Sequence, residues 1–401
     1  MRRLLVRSVG TAFLIVAGLM ACALLPERYA VNAPMLNMMS GWFGADTPAE
    51  KLFGARIRVP SGFTVGVFAA ELPGVRFLRP LPGGGLLATT PRVGRVWLLS
   101  PDRDGDGRSD GSRVLLEALD RPHGLDLHDG WLYVAEASAI GRVRIDPDTG
   151  ATDGKYEHVV TGLPEGENHW SRQVRFGPDG WMYVTVGSSC NACIEPDPRR
   201  AAMLRFRPDG SEPQTYATGL RNSVGYDWQP GTGALYATDN GRDLLGDDFP
   251  PCELNLIRQG GFYGWPFANG DRVPDPDLGA SHPDRVRDSI PPAHAFGAHV
   301  APLGITFLRN PRLPAEWRGA ALVAQHGSWN RTHKSGYKVV SLHWGDDGKI
   351  TERDFLVGFE ENENVIGRPV DVAEASDGTI YVSDDYASSV YWVKFGAAAA
   401  P

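Results

Sequence analysis

At 401 residues with a formal net charge of −8, and with no Lys/Arg cluster long enough to track a phosphate backbone, the chain argues against nucleic acid as a partner. Its 48 Gly and 31 Pro fit many short strands joined by turns, and its 11 Trp, 12 Tyr and 16 Phe supply a sizeable core, which excludes low-complexity disorder for the body. The length is beyond the usual single domain, yet closed all-β folds reach it as one unit.

The chain opens with a basic start, Met1-Arg2-Arg3-Leu4-Leu5-Val6-Arg7, followed by an apolar run from Thr11 to Leu25. This is the pattern of an export signal, short for a spanning helix. Leu19-Met20-Ala21-Cys22 resembles a lipoprotein cleavage box, with an unusual Met20. Lipidation at Cys22, an uncleaved anchor and plain cleavage remain three readings of residues 1–25, and all three export the body, to the periplasm or to a membrane-tethered position facing it. Residues 26–50, with Pro26, Pro34 and Pro48, read as a tether, and the membrane is met only through this N-terminal part.

From residue 51 to about 396 one short pattern recurs: a turn, then an apolar strand ending in small or hydroxyl residues. Its copies are Gly85–Thr89, Trp131–Ala135, Trp181–Thr185, Ala234–Thr238, Ala321–Ala324 and Thr379–Ser383. They fall about every 50 residues, apart from one longer gap that contains an insertion at about residues 240–300. Turn signals such as Gly177-Pro178-Asp179-Gly180 precede several copies. Repeats of this length with several strands each predict an all-β, six-bladed β-propeller with loop insertions. No helical periodicity of any length is present outside the N-terminal segment.

Loops at one end of a propeller channel carry chemistry more often than blade faces do. Three polar stretches fall on such connections: 166–172, 239–248 and 325–334. In the first, His169 sits among Asn168, Ser171 and Arg172; fifty residues on stand Arg221-Asn222. A histidine can take a hydroxyl proton, and a guanidinium can hold charge that develops on an electron-accepting carbonyl, which together suit hydride removal from a sugar hydroxyl. Asp239, Asp243, Asp247 and Asp248 form an acidic cluster beside them, and His294, His299, His326 and His333 could line the same face. Asp102-Arg103-Asp104-Gly105-Asp106-Gly107 starts like a calcium loop, but Arg113 stands where an EF-hand needs a bidentate Glu, so a solvated hairpin is expected.

Cys190-Asn191-Ala192-Cys193 lacks the His that would follow in a haem-attachment motif, and no second pair completes a zinc site. In an oxidising compartment a local disulfide leaves Cys252 over; a bond from either cysteine to Cys252 is the other pairing.

Gly166-Glu167-Asn168-His169-Trp170-Ser171-Arg172-Gln173, Gly219-Leu220-Arg221-Asn222, Glu253–Ile257, Phe262–Pro266 and Arg368–Val372, in that order, resemble the glucose/sorbosone dehydrogenases that depend on pyrroloquinoline quinone (PQQ). The resemblance spans roughly residues 55–395, and Ser188–Cys193 is most similar to the sorbosone dehydrogenase-like branch. It implies a propeller that holds PQQ beside a calcium ion at the channel mouth. It also implies oxidation of an aldose or sorbosone-like sugar, and an external electron acceptor, a quinone or a cytochrome. By the same resemblance His169 is the catalytic base and Arg221 the charge-stabilising group. Asn222, Asn240 and Arg368 contact the cofactor, and the Gly241 and Arg242 carbonyls bind calcium. The chain departs from the family at three places: Gly241-Arg242 replaces Gly-Pro, Val370 stands where a second arginine is expected, and Gln325–Arg331 replaces a segment with a cofactor-binding lysine. Arg331, Lys334 or Arg242 are the cations available to compensate for a cofactor with three carboxylates. Two other readings of the fold are a non-catalytic envelope binding propeller, which the missing cations favour, and a calcium-dependent lactonase.

Overall fold

A computed structural model describes residues 27–31, 50–166 and 168–396. The leader and most of the tether lie outside these residues. Among the described residues no helix is long and apolar enough to cross a membrane.

Six four-stranded antiparallel sheets succeed one another along the chain as blades I to VI. Their innermost strands are Leu78–Pro80, Leu125–His128, Val174–Phe176, Tyr226–Trp228, Pro302–Phe307 and Pro369–Glu374. The six repeats read in the sequence are, without exception, the second strands: Leu86–Thr90, Trp131–Ala135, Met182–Val186, Leu235–Asp239, Ala321–Gln325 and Ile380–Asp384. Each is buried along nearly its whole length, because it packs between neighbouring blades on both faces; that is why these segments read as continuous apolar runs. The ring closes by a strand from the N-terminal side: Phe63–Ala69 pairs with Ser389–Phe395 as the outer strand of blade VI.

Packing repeats the same way. Six hydrophobic clusters each fill one interface between neighbouring blades. Val134 and Leu87 meet between I and II, Val184 and Tyr133 between II and III, Tyr226 and Tyr183 between III and IV. Phe307 and Leu254 fill the next, Val382 and Leu322 the fifth, and Phe68, Tyr381 and Leu86 the one that closes the ring. Burial on this pattern, at about 25 cal/mol per Å² of apolar surface, is a main force holding neighbouring blades together.

At one end of the channel the inner strands are also lashed by carboxylates. Asp126 accepts the Phe176 N–H at 2.8 Å, Asp227 that of Phe307 at 2.8 Å and Asp371 that of Leu78 at 2.9 Å. Arg79 pairs with Asp126, and Arg175 and Arg309 pair with Asp227.

The long insertion falls in blade IV, between the third strand, Pro251–Ile257, and the fourth, His294–Ala298. It holds a two-stranded ribbon, Ala268–Asn269 with Val273–Pro274, and a short helix, Pro283–Asp288. A second short helix, Glu50–Arg56, precedes the ring, so helix is a little more frequent than the sequence periodicity indicates. Of the tether, residues 28 and 30 offer their carbonyls to Asn330 Nδ2 at 2.9 and 2.8 Å. The Asp102–Asp106 stretch joins two strands of blade I, and its carboxylates accept their own loop's N–H groups, Gly105 at 2.8 Å and Gly107 at 3.0 Å.

Candidate active site

His169 lies on the connection between blades II and III, half-buried, with φ at 46°. This left-handed backbone is costly for a residue with a Cβ. It is held by Arg172, a fully buried guanidinium that donates to the carbonyls of His169 at 2.7 Å, Ser171 at 2.9 Å and Pro164 at 2.6 Å. The ring is held as firmly. Nδ1 lies 3.0 Å from the Ser188 carbonyl and 2.9 Å from Ser188 Oγ. The Ser188 hydroxyl already donates to the Cys190 carbonyl at 2.8 Å, so both Ser188 oxygens are acceptors and Nδ1 must carry the proton. Nε2 is then the unprotonated nitrogen. Burial, with the Arg221 charge second, pushes the imidazole pKa down to about 3, which keeps it neutral at physiological pH. Gly187 leaves room for this ring: a Cβ there would stand 2.5 Å from His169 Cβ and 2.9 Å from Asn222 Oδ1.

Arg221 and Asn222 lie on the connection from blade III to blade IV, four residues before the strand that Tyr226 opens. Both backbone N–H groups are held by Asp239, at 2.9 and 2.6 Å. The Asp239 carboxyl is buried and close to Glu253, and its pKa is raised to about 8, with burial the larger cause. The Arg221 guanidinium is almost fully covered. Its five N–H groups meet five acceptors: the Asn191 carbonyl at 3.0 Å, Asn191 Oδ1 at 2.8 Å, the carbonyls of Asn240 and Gly241 at 3.2 and 2.9 Å, and Asp243 at 2.9 Å. Arg221 therefore presents a fixed positive charge at the cavity wall rather than a spare donor.

Two cavities meet at His169, Asn222 and Leu303. One, of about 440 Å³, is lined also by Arg221, Asn240, Gly241, Asp243, His299 and Trp329. The other, of about 590 Å³, is lined by Arg76, Arg92, Trp170, His326, Asp385 and Tyr386. Both volumes suit a cofactor- or sugar-sized molecule.

Of the residues singled out in the sequence, His169, Arg221, Asn222, Asn240 and Gly241 come together here, and His299 and His326 line the same space. Others are turned elsewhere. Arg368 is buried and donates to the His326 and Gly327 carbonyls at 3.0 and 2.8 Å; it lines neither cavity. Arg331 binds the Asp247 carbonyl and Asp248, the latter at 3.0 Å, and also stands outside both. Arg242 turns its side chain into the insertion, onto Asp275 at 2.6 Å and Asp277 at 2.9 Å, so it supplies no compensating charge. Lys334 pairs with Glu363, His294 with Glu352, and His333 is exposed beside Glu363. Cys190 is bonded to Cys193, which leaves Cys252 free and buried at the wall of the smaller cavity.

In the sequence Ser188 and Asn191 stand only as parts of a motif, Asp239 only in an acidic cluster and His326 only among possible lining histidines; Arg76 and Asp385 are not singled out there. Asp385 accepts from Arg76 at 2.6 Å and faces His326 Nε2 at 2.8 Å; burial would raise its carboxyl, but the His326 ring and the Arg76 guanidinium outweigh that and hold it well below the usual range. The dipeptide Asp384-Asp385 at a strand end was the one local signal available for this group.

A divalent cation has one oxygen here that lacks a partner, Asn240 Oδ1, beside the carbonyls of the 240–242 turn. The carbonyls bonded to Arg221 each keep a second lone pair, so this oxygen set is of the kind an oxygen-seeking ion such as calcium takes. A cofactor-sized molecule fits the cavities by volume, and Arg221 and Arg76 line them, each already paired with a carboxylate, Asp243 and Asp385.

Comparison with known proteins agrees with this architecture. An uncharacterized protein of Borreliella burgdorferi is 30% identical over 296 residues, covering 70% of this chain and 78% of that one. The holo PQQ domain of pyranose dehydrogenase from Coprinopsis cinerea has the same fold, with a TM-score of 0.71 at 22% identity over 84% of this chain and 97% of that one. The PQQ-bound aldose sugar dehydrogenase of Streptomyces coelicolor is similar at a TM-score of 0.60 and 21% identity, over 84% of this chain and 100% of that one. The family profile described as Glucose / Sorbosone dehydrogenase matches residues 132–392, most of the propeller, and the chain belongs to that family.

Proposed function

We propose that the protein is a quinoprotein dehydrogenase that oxidises the anomeric hydroxyl of an aldose, or the hydrated aldehyde of a sorbosone-like sugar, with PQQ and calcium. The observation that carries this reading is His169: neutral, tautomerically fixed by Ser188, and set where two ligand-sized cavities meet beside a fixed guanidinium charge. PQQ, when bound, supplies a hydride-accepting carbonyl that calcium polarises as a Lewis acid. Arg221, Asn222 and Arg76 would hold the cofactor, and the Gly241 and Arg242 carbonyls with Asn240 Oδ1 would hold the ion.

The chain's own part is proton and charge management. His169 Nε2 accepts the sugar hydroxyl proton, and Ser188 stabilises the imidazolium that forms by accepting from Nδ1. Arg221 places positive charge where negative charge develops, at no cost of reorganisation because every N–H is already held. The product is a lactone or acid, and an external quinone or cytochrome takes the electrons. Export of the body belongs to the same proposal; the Cys190–Cys193 disulfide supports an oxidising compartment.

Replacing His169 by Gln should lower sugar turnover of the PQQ- and calcium-loaded protein by about 100-fold or more, the range of general-base catalysis, while cofactor binding stays nearly intact. Unchanged turnover would overturn the assignment. A second reading, a non-catalytic binding propeller, is favoured by the commitment of the Arg331 and Arg368 guanidiniums to protein oxygens. It predicts no saturable binding of PQQ.

A further inference from the structure

The four-residue ring closed by Cys190 and Cys193 touches both ends of the machinery. Its first carbonyl, that of Cys190, takes the Ser188 hydroxyl that orients His169. Its second residue, Asn191, uses every polar atom of its side chain and its carbonyl on the other end. Oδ1 accepts from Arg221 at 2.8 Å and from the Asp243 N–H at 2.8 Å, while Nδ2 donates to the Asp243 carbonyl at 3.0 Å. The Asn191 carbonyl accepts from Arg221 Nε at 3.0 Å and from Trp265 Nε1 at 3.2 Å. Asn191 thus supplies two of the five acceptors of Arg221 and mimics a backbone partner for Asp243, the residue that follows the 240–242 carbonyl turn.

We propose that Asn191, locked in the Cys190–Cys193 ring, is a positioning residue that fixes Arg221 and the 240–243 turn relative to each other. The physical reason is preorganisation. A guanidinium on a long side chain has many rotamers, and a charge that must be in place before the reaction gains most from acceptors that do not themselves move. An asparagine on an open surface loop is a poor anchor. Closing its loop after three residues removes most of the conformations in which Asn191 points away. The four ring residues are only half-buried and are flanked by exposed Ser189 and Ile194, so covalent closure supplies rigidity that packing alone does not.

This inference rests on the role proposed above for Arg221, and two readouts keep the two claims apart. The first needs no cofactor: exchange of the Arg221 guanidinium N–H groups with solvent, followed by 15N NMR in the cofactor-free full chain, with Nε–H reporting the Asn191 carbonyl and Nη2 reporting Asn191 Oδ1. Nε–H exchange should speed up by about 10-fold or more in the paired Cys190→Ser, Cys193→Ser variant, and Nη2 exchange likewise in Asn191→Ala, while Asn191→Asp, which keeps an oxygen for Nη2, should restore part of the protection. The second is a split in the kinetics of the loaded protein. Asn191→Ala should lower kcat by about 10-fold with KM for sugar within about twofold and little change in melting temperature. Unchanged Nε–H exchange in the paired serine variant together with unchanged Nη2 exchange in Asn191→Ala overturns the positioning role. So does a loss of kcat matched by an equal loss of folded protein. If unmodified protein fails to oxidise any sugar, the dehydrogenase reading falls, while the exchange result still decides the role of Asn191.

Discussion

Gly187 offers the sharpest test of the site geometry, because one methyl group there acts directly on the proposed base. Its φ lies outside the left-handed region, so an alanine meets no backbone strain and only space opposes it. A Cβ would stand 2.5 Å from His169 Cβ, 2.9 Å from Asn222 Oδ1 and 3.2 Å from the His169 carbonyl. Ordinary carbon–carbon contact is about 3.5–4.0 Å, so His169 or the strand end has to move by about 1 Å. The His169 backbone is pinned by Arg172 and its ring by Ser188, which makes that displacement hard to absorb elsewhere. Overpacking of this kind costs about 1–3 kcal/mol of stability, and a misplacement of about 1 Å at a reacting group costs about 100-fold in rate. Gly187→Ala is therefore expected to fold, with a modestly lower melting temperature, and to lose about two orders of magnitude in kcat for sugar-driven reduction of the bound cofactor. The assay is stopped-flow absorbance of loaded protein mixed with sugar. A Gly187→Ala protein that turns over at the unmodified rate would refute the claim that this wall holds the base.

Arg172→Met removes three hydrogen bonds to carbonyls from a fully buried guanidinium and frees the strained His169 backbone, so it should cost about 3 kcal/mol or more, read as a lower denaturant midpoint. Asp371, whose pKa burial raises to about 7, binds its proton more tightly folded than unfolded. Its contribution makes the fold more stable as pH falls from about 8 towards about 5, with a slope of at most about 1.4 kcal/mol per pH unit. Chemical denaturation at both pH values should show that term in the unmodified protein and its absence in Asp371→Asn, with titrating histidines cancelling in the comparison; equal pH slopes would contradict it.

The ring was legible because its second strands face a blade on either side and must be apolar throughout, which turns each into a visible repeat. Phe63–Ala69 was not, since a closing strand lies outside the repeat and has one exposed flank. His169 and Arg221-Asn222 could be found as local motifs with their chemistry intact. The roles of Asp239, Ser188 and the Arg76–Asp385 pair could not be read there, because they exist only once distant loops converge. The cations show the opposite failing. Arg242, Arg331 and Arg368 count as three charges in the sequence, but only the fold reveals that Asp275, Asp277, Asp248 and the carbonyls of residues 247, 326 and 327 claim them.

The central claim is that this cavity takes up PQQ and reduces it with sugar, despite the arginines committed elsewhere. Titrating the purified protein with PQQ and calcium, then following absorbance as sugar is added, tests it most directly. Saturable, calcium-dependent binding and a sugar-dependent change to the reduced cofactor spectrum are expected. An absence of binding at about 10–100 micromolar PQQ, roughly tenfold or more above a micromolar affinity, would contradict the claim and leave the non-catalytic binding propeller as the reading of this fold.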